Sequence, residues 1–269
     1  MKKNNYKILV LSDLKEDSKN TLKSAVSIAK ITHADIHLFH VKRASDIVGK
    51  ENQLSAMRTI NSEYKTLNKD IQNLAAPFSK EYGKSIQTKF SFGNVKSEIG
   101  KYIKELQPDI IVLGKKKSNS FNFMGDRVAE FVLKLHPGVM MIASNENAIE
   151  PNQEIALGVL NDLKPSSSLA FIDDLIGDSK KPITSFKIAQ NSDVAKEKAP
   201  APQRKTIEYV FEKNDNSLKN ISNYVLKNKI NLLCVNRGQE NQENNTGIRE
   251  VIEKLNVSLL VSANQNYAL

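Results

Sequence analysis

Apolar residues in this chain fall into short runs separated by stretches with helical spacing. Ile8–Leu11 is a continuous apolar run, and it predicts a buried strand over Lys7–Leu11 that a turn at Ser12-Asp13 ends. Leu22, Ala25, Val26 and Ala29 then recur on one face. They predict a helix over Asp17–Lys30, with Asp17 or Ser18 placed to cap it. Asp35–Val41 predicts the second strand. Leu54, Met57, Ile60, Tyr64, Leu67, Ile71, Leu74 and Phe78 mark one long amphipathic helix that stops near Gly83. Ile86–Phe92 alternates as a strand. Asn94 is placed to cap a helix through Val95, Ile99, Ile103 and Leu106, ending before Pro108. A strand Asp109–Gly114, a polar loop, a helix Gly125–Leu135 and a strand Val139–Ala143 follow.

The same order returns after Ser144–Gln153, a polar stretch holding Pro151. Strand Glu154–Leu160, helix Ser166–Ile176 and strand Pro182–Ala189 come first. Strand Thr206–Phe211, helix Ser217–Lys227, strand Asn231–Val235, helix Gly247–Leu255 and strand Val257–Val261 complete the copy. Asn191–Lys205 stands where the first half has its long helix. Its two prolines and many charges predict an exposed, protease-sensitive loop. Local sequence repeats as well. Leu11-Ser12-Asp13-Leu14-Lys15 returns as Leu160-Asn161-Asp162-Leu163-Lys164, offset by 149 residues, and Asp109–Gly114 returns as Asn231–Asn236, offset by 122. The second half is therefore a shortened copy of the first, a repeat of whole domains rather than of small solenoid units. The expected boundaries are 1–145 and 154–269, with 146–153 as linker. Strands alternating with helices call for parallel sheets with helices on both faces, doubly wound because crossovers are right-handed.

Composition changes this picture little. The net charge is +9, but no basic run exceeds Lys115-Lys116-Lys117 and no aromatics interleave with basic residues as stacking platforms would require. No specific nucleic-acid partner is expected. No signal-peptide pattern opens the chain, and no apolar stretch nears the roughly 20 residues that cross a bilayer, so no membrane is expected. The single cysteine, Cys234, lies in an apolar strand, and a reducing cytoplasm is the expected location. Candidate catalytic chemistry is thin. His33, His37, His40 and His136 lack metal-ligand spacing, and His37 and His40 fall on opposite faces of one strand. Nothing assembles a nucleophile, base and orienter, so neither catalytic residues nor a metal site are assigned.

The strand–Ser-Asp–helix opening, the strand ending His40-Val41, the strand ending in Gly114 and the helix opening Val128-Ala129-Glu130 together resemble the universal stress protein family in its tandem form. The resemblance spans nearly the whole chain and is stronger in the first half. It implies two doubly wound, five-stranded parallel sheets of order 3-2-1-4-5, the second domain shortened. It also implies that the last strands of two domains pair; here these are Val139–Ile142 and Val257–Val261, expected to pair antiparallel within the chain. A homodimer and an unidentified protein partner are the other associations it leaves open.

Nucleotide-binding members of that family hold ATP between strands one and four. Their pattern is Gly, two residues, Gly, about nine residues, then Gly-Ser/Thr at a helix start. Glycines admit backbone amides to the phosphates, and the helix start supplies amides and partial positive charge. Here Gly114 stands, but Lys117 holds the second Gly position and Gly125 is followed by Asp126, which opposes a phosphate. In the second half Asn236 and Gln239 replace both glycines, and Gly247 is followed by Ile248. By resemblance Asp13 contacts the nucleoside and the Val41 backbone contacts the base. Equally, an Asp between strand and helix closes a turn through its own hydrogen bonds, which is the favoured reading of Asp162. Lys115–Lys117 stand as point charges that could replace glycine amides, or as a solvated loop. The leading reading is a stress-response binding or regulatory protein with degenerate nucleotide motifs, no cofactor and no enzymatic role. The alternative is an ATP- or AMP-binding member using Asp13, Val41, Gly114, Lys117 and Gly125, with slow ATP hydrolysis. A small-molecule carrier or enzyme on the same fold is the third.

Overall fold

In a computed structural model of the chain, the described residues are 6–43, 53–115, 128–161, 169–178, 181–189, 206–237 and 247–262. The predicted loop Asn191–Lys205 lies outside them. So do Lys116, Lys117, Gly125, Asp126 and Asp162.

The first half runs β1 (Lys7–Ser12), α1 (Ser18–Thr32), β2 (Asp35–Lys42), α2 (Gln53–Tyr82), β3 (Ile86–Phe92), α3 (Val95–Leu106), β4 (Ile110–Gly114), α4 (Val128–Leu135) and β5 (Val139–Ala143). The second runs β6 (Leu157–Leu160), α5 (Leu169–Asp178), β7 (Ile183–Ala189), β8 (Thr206–Glu212), α6 (Ser217–Lys227), β9 (Leu232–Val235), α7 (Ile248–Lys254) and β10 (Ser258–Val261). The apolar runs became strands because both faces of each are covered, as buried parallel strands require. Ile8, Leu9 and Val10 are all fully buried.

The strands form one ten-stranded sheet in the order β3-β2-β1-β4-β5-β10-β9-β6-β7-β8. Each half has the order 3-2-1-4-5 counted within itself, and the two halves join edge to edge. The seam is the one antiparallel pair, β5 with β10, in the register Ile142↔Leu259, Met141↔Leu260 and Met140↔Val261. Every other neighbouring pair is parallel.

Alternation sorts the side chains into two cores, and each core crosses the seam. One face carries Leu9, Phe39, Ile111 and Met140 together with Phe186, Leu233 and Leu259, under helices α3, α4, α6 and α7. The other carries Ile8, Leu38, Val112 and Met141 together with Leu232, Cys234 and Leu260, under α1, α2 and α5. Cys234 is completely buried there, and burial pushes its thiol up to about 12. The connection between halves lies along α1. Ile149 is fully buried, its amide donates to Ser24 Oγ at 3.1 Å, and its carbonyl accepts from Ser27 Oγ at 2.7 Å.

The expected cap of α1 is corrected. Asp17 sits at the cap with helical dihedrals and makes no side-chain capping bond, and Ser18 is already the first helical residue. The Ser18 hydroxyl is instead committed to the preceding turn. Asn94 does cap α3, accepting from the Ser97 amide at 3.1 Å.

Candidate functional site

β1 lies between β2 and β4, and its register sets Leu11 beside Phe39 and Leu113. From β1 the chain turns to α1 on one face of the sheet. From β4 it leads to α4 on the other. The crevice where such crossovers diverge is the physical binding place of an open α/β sheet. Three of the expected residues border it. Asp13 follows β1, Gly114 ends β4, and Val41 is the penultimate residue of β2, buried to 7% exposure.

Local chemistry fixes Asp13. Its Oδ1 accepts from the Lys15 amide at 3.1 Å and from Ser18 Oγ at 3.1 Å. Ser12 Oγ accepts from the Leu14 amide at 3.0 Å and donates to Ser18 Oγ at 2.9 Å. Leu14 adopts φ of 57° in this turn, and such a conformation in a non-glycine residue has to be held by its surroundings. The hydroxyl–carboxylate cluster does this. Below it, His40 Nδ1 donates to the Ser12 carbonyl at 2.9 Å. Burial holds the His40 imidazole below its ordinary pKa, so it favours the neutral ring.

Gly114 is a packing residue. A Cβ there would collide with Thr21 Oγ1 on α1. The hydroxyl itself donates to the Asp17 carbonyl at 3.3 Å. The glycine therefore lets β4 and α1 approach, whether or not a phosphate ever lies against it.

Lys115 departs from its expected part. Its Nζ donates to the Leu255 carbonyl at 2.9 Å and the Glu253 carbonyl at 3.3 Å, at the C-terminal end of α7 in the other half. Burial lowers its pKa while Glu146 and Glu253 oppose the shift. This ammonium is turned away from the switch point and toward a helix end where a cation is favoured. The second half mirrors it. Arg237, the residue after Asn236, donates from Nη1 to the His136 carbonyl at 2.6 Å and from Nη2 to the Gly138 carbonyl at 2.8 Å, just past α4. Sequence reading passed over Arg237, although its place after Asn236 repeats that of Lys115 after Gly114.

The remaining second-half positions carry other chemistry. Asn236 Oδ1 accepts from Ser262 Oγ at 3.1 Å. Gly247 precedes α7 with ordinary φ of −57°, and a Cβ there would meet nothing within 4 Å. Among the described residues no group of three His, Cys, Asp or Glu side chains could hold a metal ion, and no helix is long and apolar enough to cross a membrane.

The fold is thus a doubly wound α/β architecture repeated in tandem. The model of the universal stress protein family matches residues 5–142, and the chain belongs to that family. Among solved structures it is similar over its whole length to a universal stress protein from Archaeoglobus fulgidus, at 14% identity and a TM-score of 0.68, covering 97% of this chain and 99% of that one. A putative universal stress protein from Pseudomonas aeruginosa matches at 14% identity and a TM-score of 0.55, covering 97% and 94%. The cytoplasmic domain of a prokaryotic cation chloride cotransporter matches at 11% identity and a TM-score of 0.50, covering 98% and 97%. At these identities the likeness is one of fold. No curated protein matches the sequence.

Proposed function

We propose that the chain acts as a tandem universal stress protein whose role is binding and regulation, with weak or no affinity for nucleotide and no resident cofactor. The observation that carries this reading is the commitment of the switch-point groups to structure. Asp13 Oδ1 holds the turn, Gly114 makes room for Thr21, and Lys115 caps a helix of the other half. The broken glycine pattern at Lys117 and Asp126 agrees with it. In this reading the protein works in the cytoplasm on a protein partner, without catalysis. The test is calorimetric titration with ATP and AMP at low and at physiological salt. The expected result is no saturable heat, or a weak signal that salt suppresses. Tight, salt-insensitive binding or two occupied sites per chain would overturn the reading.

One observation favours a second reading, an ATP- or AMP-binding protein with slow hydrolysis. Asp13, Val41 and Gly114 still lie together at the C-terminal ends of adjacent strands, where the first half would have to bind. The double change Lys117→Gly with Asp126→Ser sharpens the choice. It restores the second glycine and the hydroxyl, with seven rather than about nine residues between positions 117 and 125, so a crevice that is otherwise competent gains nucleotide affinity.

A further inference from the structure

We propose that Lys115 and Arg237 are reciprocal clamps that fasten the end of β4 to the end of α7 and the end of β9 to the end of α4 across the seam. Lys115 directly follows β4 and Arg237 stands two residues past β9, at the equivalent position 122 residues on, and each grips the end of the last helix of the opposite half. Lys115 Nζ holds the Glu253 and Leu255 carbonyls at 3.3 and 2.9 Å. Arg237 holds the His136 and Gly138 carbonyls at 2.6 and 2.8 Å.

The arrangement closes a circuit. The first loop leaves β4 at Lys115 and leads into α4. The far end of α4 is held by Arg237, where the second loop leaves β9. That loop leads into α7, whose far end is held by Lys115. Displacing the end of either strand therefore releases the last helix of the opposite half. The β5–β10 pairing sits at the centre of this circuit and the Arg249–Glu130 ion pair bridges α7 to α4 across it. Both clamps are cations at helix C-terminal ends, where the backbone carbonyls lack intrahelical partners. The Arg237 fork meets two carbonyls at once, a geometry a lysine cannot copy. The clamps operate whether or not the first half binds nucleotide, so their test needs no ligand.

Hydrogen exchange on Lys115→Met and Arg237→Met separates this device from a local cap. Arg237→Met should speed exchange about tenfold at the far side of the seam, in α4 and at the His136 amide, which donates to the Val132 carbonyl. Lys115→Met should do the same for α7 and the Leu255 amide, which donates to the Val251 carbonyl. Exchange in the β1 core should stay slow in both. Arg237→Lys keeps the charge and loses the fork, so it should give a smaller rise at the same α4 amides and guards against a variant that fails to fold. Changes confined to the half that carries the substitution, or no change in the opposite helix, would overturn the proposal.

Discussion

The outer edges of the sheet, β3 and β8, differ between the two halves. At β3, Phe90 and Thr88 face α2. Phe90 packs against Tyr64 with centroids 4.8 Å apart, and Thr88 Oγ1 accepts from Gln72 Nε2 at 2.7 Å. The opposite face of β3 is polar, with Lys89 on Glu105 and Ser91 on Glu98 of α3. At β8 the polarity is reversed. Tyr209 and Phe211 pack with Phe186 and Tyr224 under α6, while Glu208 on the other face pairs with Lys187 at 3.0 Å and Val210 is 47% exposed. Among the described residues no helix stands there in the place of α2. The difference teaches that equivalent edge strands can turn their aromatic side chains to opposite faces of the sheet, each toward the helix it packs on. In β3 the aromatic face meets α2 and the charged face meets α3, whereas in β8 the aromatic face meets α6, the counterpart of α3.

Beneath the edges the halves agree, and the largest predicted effects test that agreement. Phe39 and Phe186 hold equivalent positions, each beside a tyrosine of the covering helix. Phe39 lies 4.4 Å from Tyr102 and Phe186 lies 5.6 Å from Tyr224, between ring centroids. Both phenylalanines are buried to 2% exposure or less. Phe39→Ala and Phe186→Ala should each lower stability in urea unfolding by about 3–5 kcal/mol. A negligible loss for either would mean that its half is not packed as its partner is.

A smaller effect separates the halves by pH. His136 follows α4 and is 2% exposed, and its counterpart after α7 is Leu255. Burial, then the neighbouring Arg237 charge, lowers the His136 pKa from 6.5 to about 4. The folded state thus binds the proton less readily than the unfolded state. The stability contributed by the neutral ring is fully present above pH 6.5 and is lost as the pH falls towards about 4. Protonation should remove on the order of 3 kcal/mol across that window. His136→Leu copies the second half and should flatten most of the acid slope. An unchanged slope would place the acid sensitivity elsewhere, with His40 the next group to test because burial lowers its pKa too.

The strands, helices and repeat were legible in sequence because period and burial go together. Leu22, Ala25, Val26 and Ala29 had to face a core, and they do. The Asp13 turn was one of two readings the sequence left equally open, since a short carboxylate between strand and helix reaches amides only two residues on. The directions of Lys115 and Arg237 were not legible. Nothing local points a long basic side chain at a helix 138 residues away, as Lys115 is from Glu253. Local pattern likewise misassigned the cap of α1. It could not show that the Ser18 hydroxyl is taken by Ser12 and Asp13.

Gly114 shows the same limit, and a pair of substitutions tests it. Read locally, this glycine admits a phosphate. In three dimensions it admits Thr21, whose Cβ and Cγ2 would stand at 3.6 and 3.8 Å from an added Cβ while Oγ1 would collide. Gly114→Ala should cost about 1–3 kcal/mol. Adding Thr21→Ala removes the colliding oxygen and should recover most of that loss. Full stability in the single variant would remove the packing account and return the glycine to ligand chemistry.

The smallest effect comes from two asparagines at equivalent positions, Asn94 before α3 and Asn216 before α6. Asn94 is extended, with φ −73° and ψ 122°, and its side chain accepts from the Ser97 amide. Asn216 has φ −98° and ψ −3° and makes no such bond. The reason lies just upstream. Ser217 Oγ donates to the Glu212 carbonyl at 2.6 Å and accepts from the Asn214 amide at 2.8 Å, while the Asn216 amide donates to Asn214 Oδ1 at 2.9 Å. Asn214 and Ser217 thus order the entry to α6 that Asn94 orders alone for α3. Asn94→Ala should therefore cost about 1 kcal/mol in thermal unfolding, and Asn216→Ala only a few tenths. Equal losses would mean that the cap is set by the repeat position rather than by the local turn.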